Sequence, residues 1–97
     1  MGEKPIEWSK KFTEDAEKVV ALTYSWSKKT ALGFIDTLYH KIAYIKYSLS
    51  GIPYKKHKGV FRIFVTKHNS LFYKVYDSRI GLLSIFDTRP NLSKSPF

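Results

Sequence analysis

Residues 60–75 read VFRIFVTKHNSLFYKV, and this stretch decides the fold. Apolar side chains alternate with other types on both sides of Lys67-His68-Asn69, which predicts two β-strands joined by a tight turn. Asn69 suits that turn because asparagine tolerates positive φ. Alternation puts one set of side chains on each face of the paired strands. The set expected to face inward is Phe61, Ile63, Val65, Leu71, Tyr73 and Val75, and the set expected to face outward is Arg62, Phe64, Phe72, Lys74 and Tyr76.

The segments around this hairpin complete an antiparallel meander. Asp77-Ser78-Arg79 predicts a second turn, and residues 80–86 predict a third strand. Residues 88–97 show no period and predict an irregular polar tail. Residues 4–8 contain a proline followed by alternating Ile, Glu and Trp, which indicates a short edge strand at the start of the chain.

The apolar period is 3.6 rather than 2 in the segment between the first strand and the meander. Ser9 predicts the N-cap of a first helix over Lys10–Tyr24, and Ser27 caps a second one that ends in the turn cluster at 48–53. The short break between them predicts an antiparallel helical hairpin. Gly33 costs the second helix about 1 kcal/mol relative to alanine, so we expect it to pack closely against a neighbour. The two apolar stripes are Phe12, Ala16, Val19, Val20 and Thr23 in the first helix, and Ala31, Phe34, Ile35, Leu38, Ile42 and Ile45 in the second.

The element order is therefore β-α-α-β-β-β, which predicts an α+β fold with a helical hairpin laid on an antiparallel sheet. The 97 residues predict one domain over 1–97. A hydrophobic content of 43% is enough for a core, and no stretch approaches the length of a membrane span.

The charge is concentrated in one part of the chain. The net charge is +9, but residues 1–36 hold six basic and six acidic residues and cancel, whereas residues 37–97 carry the whole excess. Lys55, Lys56 and Lys58 extend this positive charge to the rim of the predicted sheet. Basic residues can hold phosphates while aromatic rings stack on bases, so the outward set predicts a nucleic-acid or an acidic protein partner. The alternative is a solvated charged face whose aromatic rings are covered by the C-terminal tail or by a partner protein.

Motifs for the common enzyme classes are absent. The sequence contains no phosphate-binding glycine-rich loop, no dinucleotide motif and no nucleophile elbow. The three histidines are too far apart in sequence to form a metal pair, so we expect no metal and no cofactor. With no cysteine and no signal-like start, the sequence is typical of a cytoplasmic protein that does not bind membranes.

The sequence resembles the RelE/ParE superfamily of type II toxin–antitoxin toxins, also known as the plasmid stabilisation family. The resemblance is carried by residues 65–75 (VTKHNSLFYKV) and 83–89 (LSIFDTR), with further matches at 6–9 (IEWS), 27–31 (SKKTA) and 51–53 (GIP). It spans about residues 4–94 and implies the same β-α-α-β-β-β fold.

The resemblance also implies a function and partners. Such a toxin is growth-inhibitory and is held inactive by a cognate antitoxin protein. RelE-like members enter the ribosomal A site and cut mRNA without a metal, whereas ParE-like members poison DNA gyrase and need no nuclease chemistry. Both targets remain open, and the alternative is a small basic RNA-binding or ribosome-associated module without toxicity.

Site residues follow from the same resemblance. Arg62 and Arg89 match two of the basic positions of RelE-like nucleases and are the candidate catalytic residues. Phe64 and Ser70 stand where the family has further basic residues, and no tyrosine follows Arg89, which leaves the general acid and base unassigned. Substitutes for these could be Tyr73, Lys74 or His68. Candidate residues for binding the target or nucleic acid are Lys55, Lys56, Lys58, Phe64, Lys74 and Tyr76.

Overall fold

Two helices and five strands follow each other in the order that the hydrophobic periods predict. The computed structural model describes residues 4–48 and 51–87. The elements are β1 (Ile6–Trp8), α1 (Lys10–Trp26), α2 (Lys28–Ser48), β2 (Ile52–Pro53), β3 (Val60–Phe64), β4 (Asn69–Val75) and β5 (Ile80–Asp87). The predicted α+β fold is confirmed, and the predicted tail at 88–97 lies outside the described residues.

The strands form one sheet in the order β1-β5-β4-β3-β2. The predicted meander β3-β4-β5 is antiparallel, but β1 pairs with β5 in parallel, so the sheet is mixed rather than purely antiparallel. Periodicity identifies strands but carries no information about the direction in which a distant strand pairs. A bulge between Phe72 and Tyr73 shifts the register so that Leu83 is an extra residue in β5.

The sequence missed one strand. Residues 51–53 were predicted as a turn, yet Ile52 and Pro53 pair with Arg62 and Phe61 at the edge of the sheet. Proline is compatible with this edge because no partner strand needs its absent N–H group. A strand of two residues is too short to show a period.

Ser9 joins β1 to α1 and ties both to β5. Its hydroxyl accepts a hydrogen bond from the N–H group of Phe12 (3.0 Å), as predicted for the N-cap, and donates to the carbonyl of Leu83 (3.1 Å). One turn later the carboxylate of Asp15 accepts from the backbone N–H of Ile85 (3.1 Å). Where β1 ends, α1 thus satisfies the open edge of β5.

The helical hairpin turns at a single residue. The N–H of Ser27 donates to the carbonyl of Thr23, which extends α1 two residues beyond its predicted end at Tyr24. The Ser27 hydroxyl then accepts from the N–H of Thr30 (3.1 Å) and caps α2, as predicted. In the described ranges, neither helix is long and apolar enough to cross a membrane.

The core lies between the hairpin and the inner face of the sheet. Both predicted helix stripes and the predicted inward set of strand residues supply it. The prediction for Gly33 was wrong: a Cβ atom built at this position has nothing within 4 Å, so no neighbour packs against it. The buried residues of the core include Phe12, Phe34, Leu38, Ile45, Leu71, Tyr73, Ile80 and Leu82.

Candidate functional site: the outer face of the sheet

The outer face is the surface of the sheet that points away from the helices. Residues of the outward set alternate with core residues such as Leu71 and Tyr73, as predicted. The strand register adds residues of β2 and β5 to it. Its members are Ile52, Val60, Arg62, Phe64, Ser70, Phe72, Lys74, Gly81, Ser84 and Phe86.

Arg62 lies between Ile52 of β2 and Phe72 of β4 in the strand register. Its guanidinium carbon is 4.9 Å from the centroid of the Phe64 ring, two residues along the same face. This geometry is a cation–π contact, which leaves the guanidinium N–H groups able to bind an oxyanion. Phe64 itself is 44% exposed and offers a ring to a ligand.

Phe72 lies on the outer face but is not accessible. Only 2% of it is exposed, and the ring of Tyr54 meets it edge-on with centroids 4.9 Å apart. Tyr54 in turn stacks with His57 at 5.9 Å. The predicted binding surface therefore loses Phe72, whereas Tyr54 and His57 join the group beside Arg62, here called the Arg62 group (Tyr54, His57, Arg62, Phe64).

Sequence reasoning missed Tyr54 because its position depends on β2. With Ile52 on the outer face, the alternation of an extended chain puts Tyr54 on the same face two residues later. The N–H of Tyr54 donates to the carbonyl of Val60 (2.8 Å) and closes the connection between β2 and β3. Interpreting Ile52-Pro53 as an edge strand would have predicted the position of Tyr54.

The middle of the outer face is closed. Ser70 and Ser84 are 1% and 0% exposed, and neither hydroxyl has a hydrogen-bond partner in the described part of the chain. Ser70 occupies the position at which the RelE-like nucleases are expected to carry an arginine, so a basic side chain there would be buried. The accessible surface is therefore divided into two groups of residues rather than one continuous strip.

The second group lies at the far end of β4 and is here called the Lys74 group (Lys74, Tyr76, Arg79). The Lys74 ammonium is 5.2 Å and the Arg79 guanidinium carbon 4.0 Å from the centroid of the Tyr76 ring. Arg79, which the sequence assigned only to a turn, also forms an ion pair with Glu7 of β1 (2.7 Å). The ring thus collects two cations at one place, and the Glu7 carboxylate offsets the charge of one of them.

The predicted rim lysines Lys55, Lys56 and Lys58 are exposed in the connection between β2 and β3. This connection ends at Gly59, whose φ of 82° is in the left-handed region. The connection starts at Tyr54, and at its other end the side chain of Lys74, from the neighbouring strand β4, packs near Gly59. The rim therefore joins the two groups along one side of the sheet.

Tyr73 belongs to the core and not to the outer face. It stacks on Phe61 with centroids 5.6 Å apart, and its hydroxyl accepts a hydrogen bond from the N–H of Gly51 (2.8 Å). Burial raises the pKa of the Tyr73 phenol, and the Gly51 hydrogen bond offsets part of that increase. A buried phenol of this kind holds its proton and does not reach a substrate.

The other predicted site residues are separate from the outer face or undescribed. His68 is exposed in the β3–β4 turn, where its N–H donates to the Thr66 hydroxyl. Arg89 lies outside the described residues, so its catalytic role stays a prediction. In residues 4–48 and 51–87, no group of three or more histidine or acidic residues is placed to hold a metal ion.

Solved structures share this architecture. A chain of the chromosomal ParDE TA system from P. aeruginosa has a TM-score of 0.75 at 16% identity, covering 90% of this chain and 98% of that one. The YoeB dimer from Staphylococcus aureus has a TM-score of 0.61 at 18% identity, with 86% and 94% covered. The E. coli DinJ-YafQ toxin-antitoxin complex has a TM-score of 0.58 at 20% identity, with 86% and 90% covered.

No protein-family profile matches the sequence, and no curated protein does. At these identities the likeness establishes the fold, and it agrees with the architecture that the motifs at residues 6–9, 65–75 and 83–89 imply. The chain therefore has the RelE/ParE-like toxin fold.

Proposed function

We propose that this chain is the toxin of a type II toxin–antitoxin system and that a cognate antitoxin neutralises it. The fold carries the proposal: solved structures from a ParDE system, a YoeB dimer and a DinJ-YafQ toxin-antitoxin complex all share it over most of the chain. The positive charge supports a target on the sheet side, because residues 49–97 hold nine basic and two acidic residues, whereas the helical hairpin over residues 10–48 holds seven basic and four acidic ones.

The helical hairpin offers a surface for the antitoxin. A groove of about 650 Å³ runs between α1 and α2 and is lined mostly by apolar side chains, among them Trp8, Val20, Tyr24, Ile35 and Tyr39. Exposed apolar surfaces of this kind are typical of protein interfaces. We expect Tyr39→Glu to remain toxic but to escape neutralisation by the cognate antitoxin. Growth under co-expression measures this, and full rescue of the variant would place the antitoxin elsewhere.

The Arg62 group supports mRNA on the ribosome as the target. In RNA cleavage of this class, the 2′-oxygen attacks the adjacent phosphorus while the bond to the 5′-oxygen breaks, which leaves a 2′,3′-cyclic phosphate and a 5′-hydroxyl. A base takes the proton of the 2′-hydroxyl and an acid supplies one to the departing oxygen. The Arg62 guanidinium would stabilise the charged intermediate, and the His57 imidazole, which stacks on Tyr54, would be the group that transfers a proton.

The closed middle of the outer face supports DNA gyrase instead. Ser70 is buried where a nuclease of this family would carry a basic residue, and Phe64 replaces another. A toxin that acts by binding alone needs the exposed cations and rings but no acid or base. Both targets therefore keep a structural argument, and an experiment has to separate them.

Induction of this chain alone in a bacterial host separates the targets when growth, transcript ends and plasmid supercoiling are measured together. Codon-phased mRNA cuts would eliminate gyrase, and altered supercoiling with intact transcripts would eliminate the nuclease. Normal growth with soluble protein would contradict the toxin proposal and leave the RNA-binding module without toxicity.

A matched pair of variants tests whether the outer face is the working surface. Arg62→Ala should lower a cleavage rate by about 100-fold or more, since one lost charge stabiliser typically costs that much. Lys18→Ala removes the same charge from the exposed side of α1 and should remain fully toxic. If Arg62→Ala is as toxic as the wild type, alone and combined with Arg89→Ala, the toxin acts through another surface.

His57→Ala should abolish toxicity under the nuclease alternative and have no effect under the gyrase alternative.

A further inference from the structure

We propose that the cleft at the tip of the helical hairpin binds a nucleoside monophosphate. The cleft has a volume of about 700 Å³ and lies between the end of α1, the start of α2 and the β3–β4 turn. This volume is within the range of small-molecule sites, which is about 300–1,000 Å³. The inference does not depend on the toxin function, because it concerns a different surface from the outer face.

The lining is suited to an anion. Lys29 of α2 and Lys67 of the β3–β4 turn both line the cleft, and no acidic residue among the described ones does. Lysines bind phosphate oxygens through charge-assisted hydrogen bonds. Four threonines line the cleft as well: Thr23, Thr30, Thr37 and Thr66. The Thr30 hydroxyl donates to Ser27 and the Thr66 hydroxyl to Asn69, so toward a ligand these two act as acceptors.

An aromatic ring lies at the same cleft. Trp26 is the last residue of α1, lines the cleft and is 67% exposed. Stacking of a base on an aromatic side chain contributes about 1–3 kcal/mol in nucleic-acid binding proteins. A ring beside two cations and several hydroxyls matches the parts of a nucleotide, whereas inorganic phosphate would use only some of them.

Two further observations point to an occupant. Asn69 lines the cleft and is 5% exposed, and its Nδ2 atom has no hydrogen-bond partner in the described part of the chain. A buried donor without a partner is costly unless a ligand oxygen completes it. Gly33 lines the cleft as well, and a Cβ atom there would meet nothing within 4 Å. This glycine weakens α2 with no packing gain, and its effect is to keep the cleft open.

The experiment uses tryptophan fluorescence. The chain has two tryptophans, so Trp8→Phe leaves Trp26 as the only reporter. Titration with adenosine 5′-monophosphate should change the emission and saturate with a dissociation constant of about 1 mM or lower, and adenosine and inorganic phosphate should bind more weakly. No saturation up to about 10 mM, or saturation by an acidic peptide alone, would overturn the proposal.

Two variant pairs locate the binding. Lys29→Gln with Lys67→Gln should raise the dissociation constant by about tenfold or more, because charge-assisted hydrogen bonds are the strong ones. The control is Lys18→Gln with Lys28→Gln, which removes the same charge outside the cleft and should have no comparable effect. Gly33→Leu should fill the cleft and abolish binding, whereas Gly33→Ala should preserve it. Equal losses in both lysine pairs, or unchanged binding in a folded Gly33→Leu variant, would show that the nucleotide binds elsewhere.

Discussion

A methyl group at position 51 meets Tyr73, whereas one at position 33 meets nothing. A Cβ atom built on Gly51 overlaps the hydroxyl and ring of Tyr73, which is fully buried and cannot move away. At Gly33 the same atom enters open space. The same substitution to alanine should therefore change the free energy of unfolding in opposite directions at the two glycines.

We expect Gly51→Ala to lower the free energy of unfolding by about 1–3 kcal/mol, the usual cost of overpacking. Gly33→Ala should raise it by about 0.5–1 kcal/mol, because alanine is the better helix former and neither clash nor positive φ opposes it. Urea denaturation of both variants measures the difference. A neutral Gly51→Ala would mean that the contact between position 51 and the Tyr73 ring is not close in solution.

The buried phenol of Tyr73 makes stability depend on alkaline pH. Its pKa is raised in the folded protein, so the folded state holds this proton longer than the unfolded state. The stability that this shift contributes is fully present below the pKa of the unfolded state, which is about 10. It is lost as the pH rises from there through the higher pKa of the folded state. We expect the free energy of unfolding to fall less steeply above about pH 10 in Tyr73→Phe than in the wild type. The two proteins differ only in this phenol, so parallel curves would contradict the assignment to Tyr73.

The helical hairpin depends on one capping residue. Ser27 ends α1 with its backbone N–H and starts α2 with its hydroxyl. Ser27→Ala should destabilise the protein by about 1 kcal/mol, the typical loss for an N-cap. Ser25→Ala is the matched control, because the exposed hydroxyl of Ser25 donates only to the carbonyl of Leu22 on its own helix. Thermal unfolding should rank the two variants in this order, and an equal loss would show that Ser27 does not cap α2.

At the scale of helices and strands, the sequence predicted the elements that show a repeating hydrophobic pattern and missed the features that show none. Both helices, their caps and the β3–β5 meander follow from periods that extend over several residues. The two-residue β2 and the parallel direction of β1 have no such signal, since both depend on a partner strand far away in the chain. Tyr54 was missed for the same reason, because only β2 places it on Phe72. The prediction for Gly33 was wrong because a glycine in a helix has more than one physical explanation, and only the neighbouring atoms distinguish them.

The two sides of the molecule differ in their charge, which is higher on the sheet side than on the helical hairpin. The hairpin carries an apolar groove, while the β2–β3 connection carries Lys55, Lys56 and Lys58 and the sheet side carries the two cation–π groups. This division separates a surface suited to a protein from one suited to a polyanion. Under the proposed function, an antitoxin would bind the hairpin side and the target would bind the sheet side.

We expect the basic side to bind single-stranded RNA in a salt-dependent way. Replacing Lys55, Lys56 and Lys58 by glutamine should reduce the slope of log K against log salt by about 2, given a slope of about 0.7 for each phosphate contact. The same replacement of Lys10, Lys18 and Lys28 on the hairpin removes equal charge and should leave the slope unchanged. Equal slopes for both triple variants would mean that net charge alone, and not the rim, attracts the RNA.

The parallel pairing of β1 with β5 has a consequence for how the chain is made. The hydrogen bond from Ser9 to Leu83 joins residues 74 positions apart. During synthesis β1 can therefore pair only after β5 has left the ribosome. Contacts with such large sequence separation are slow to close, and we expect this edge to form late in folding. Ile6→Val should then speed unfolding and leave the folding rate unchanged in stopped-flow measurements, whereas a slower folding rate would show that the edge forms early. A nascent chain would gain its complete sheet only after β5 has left the ribosome.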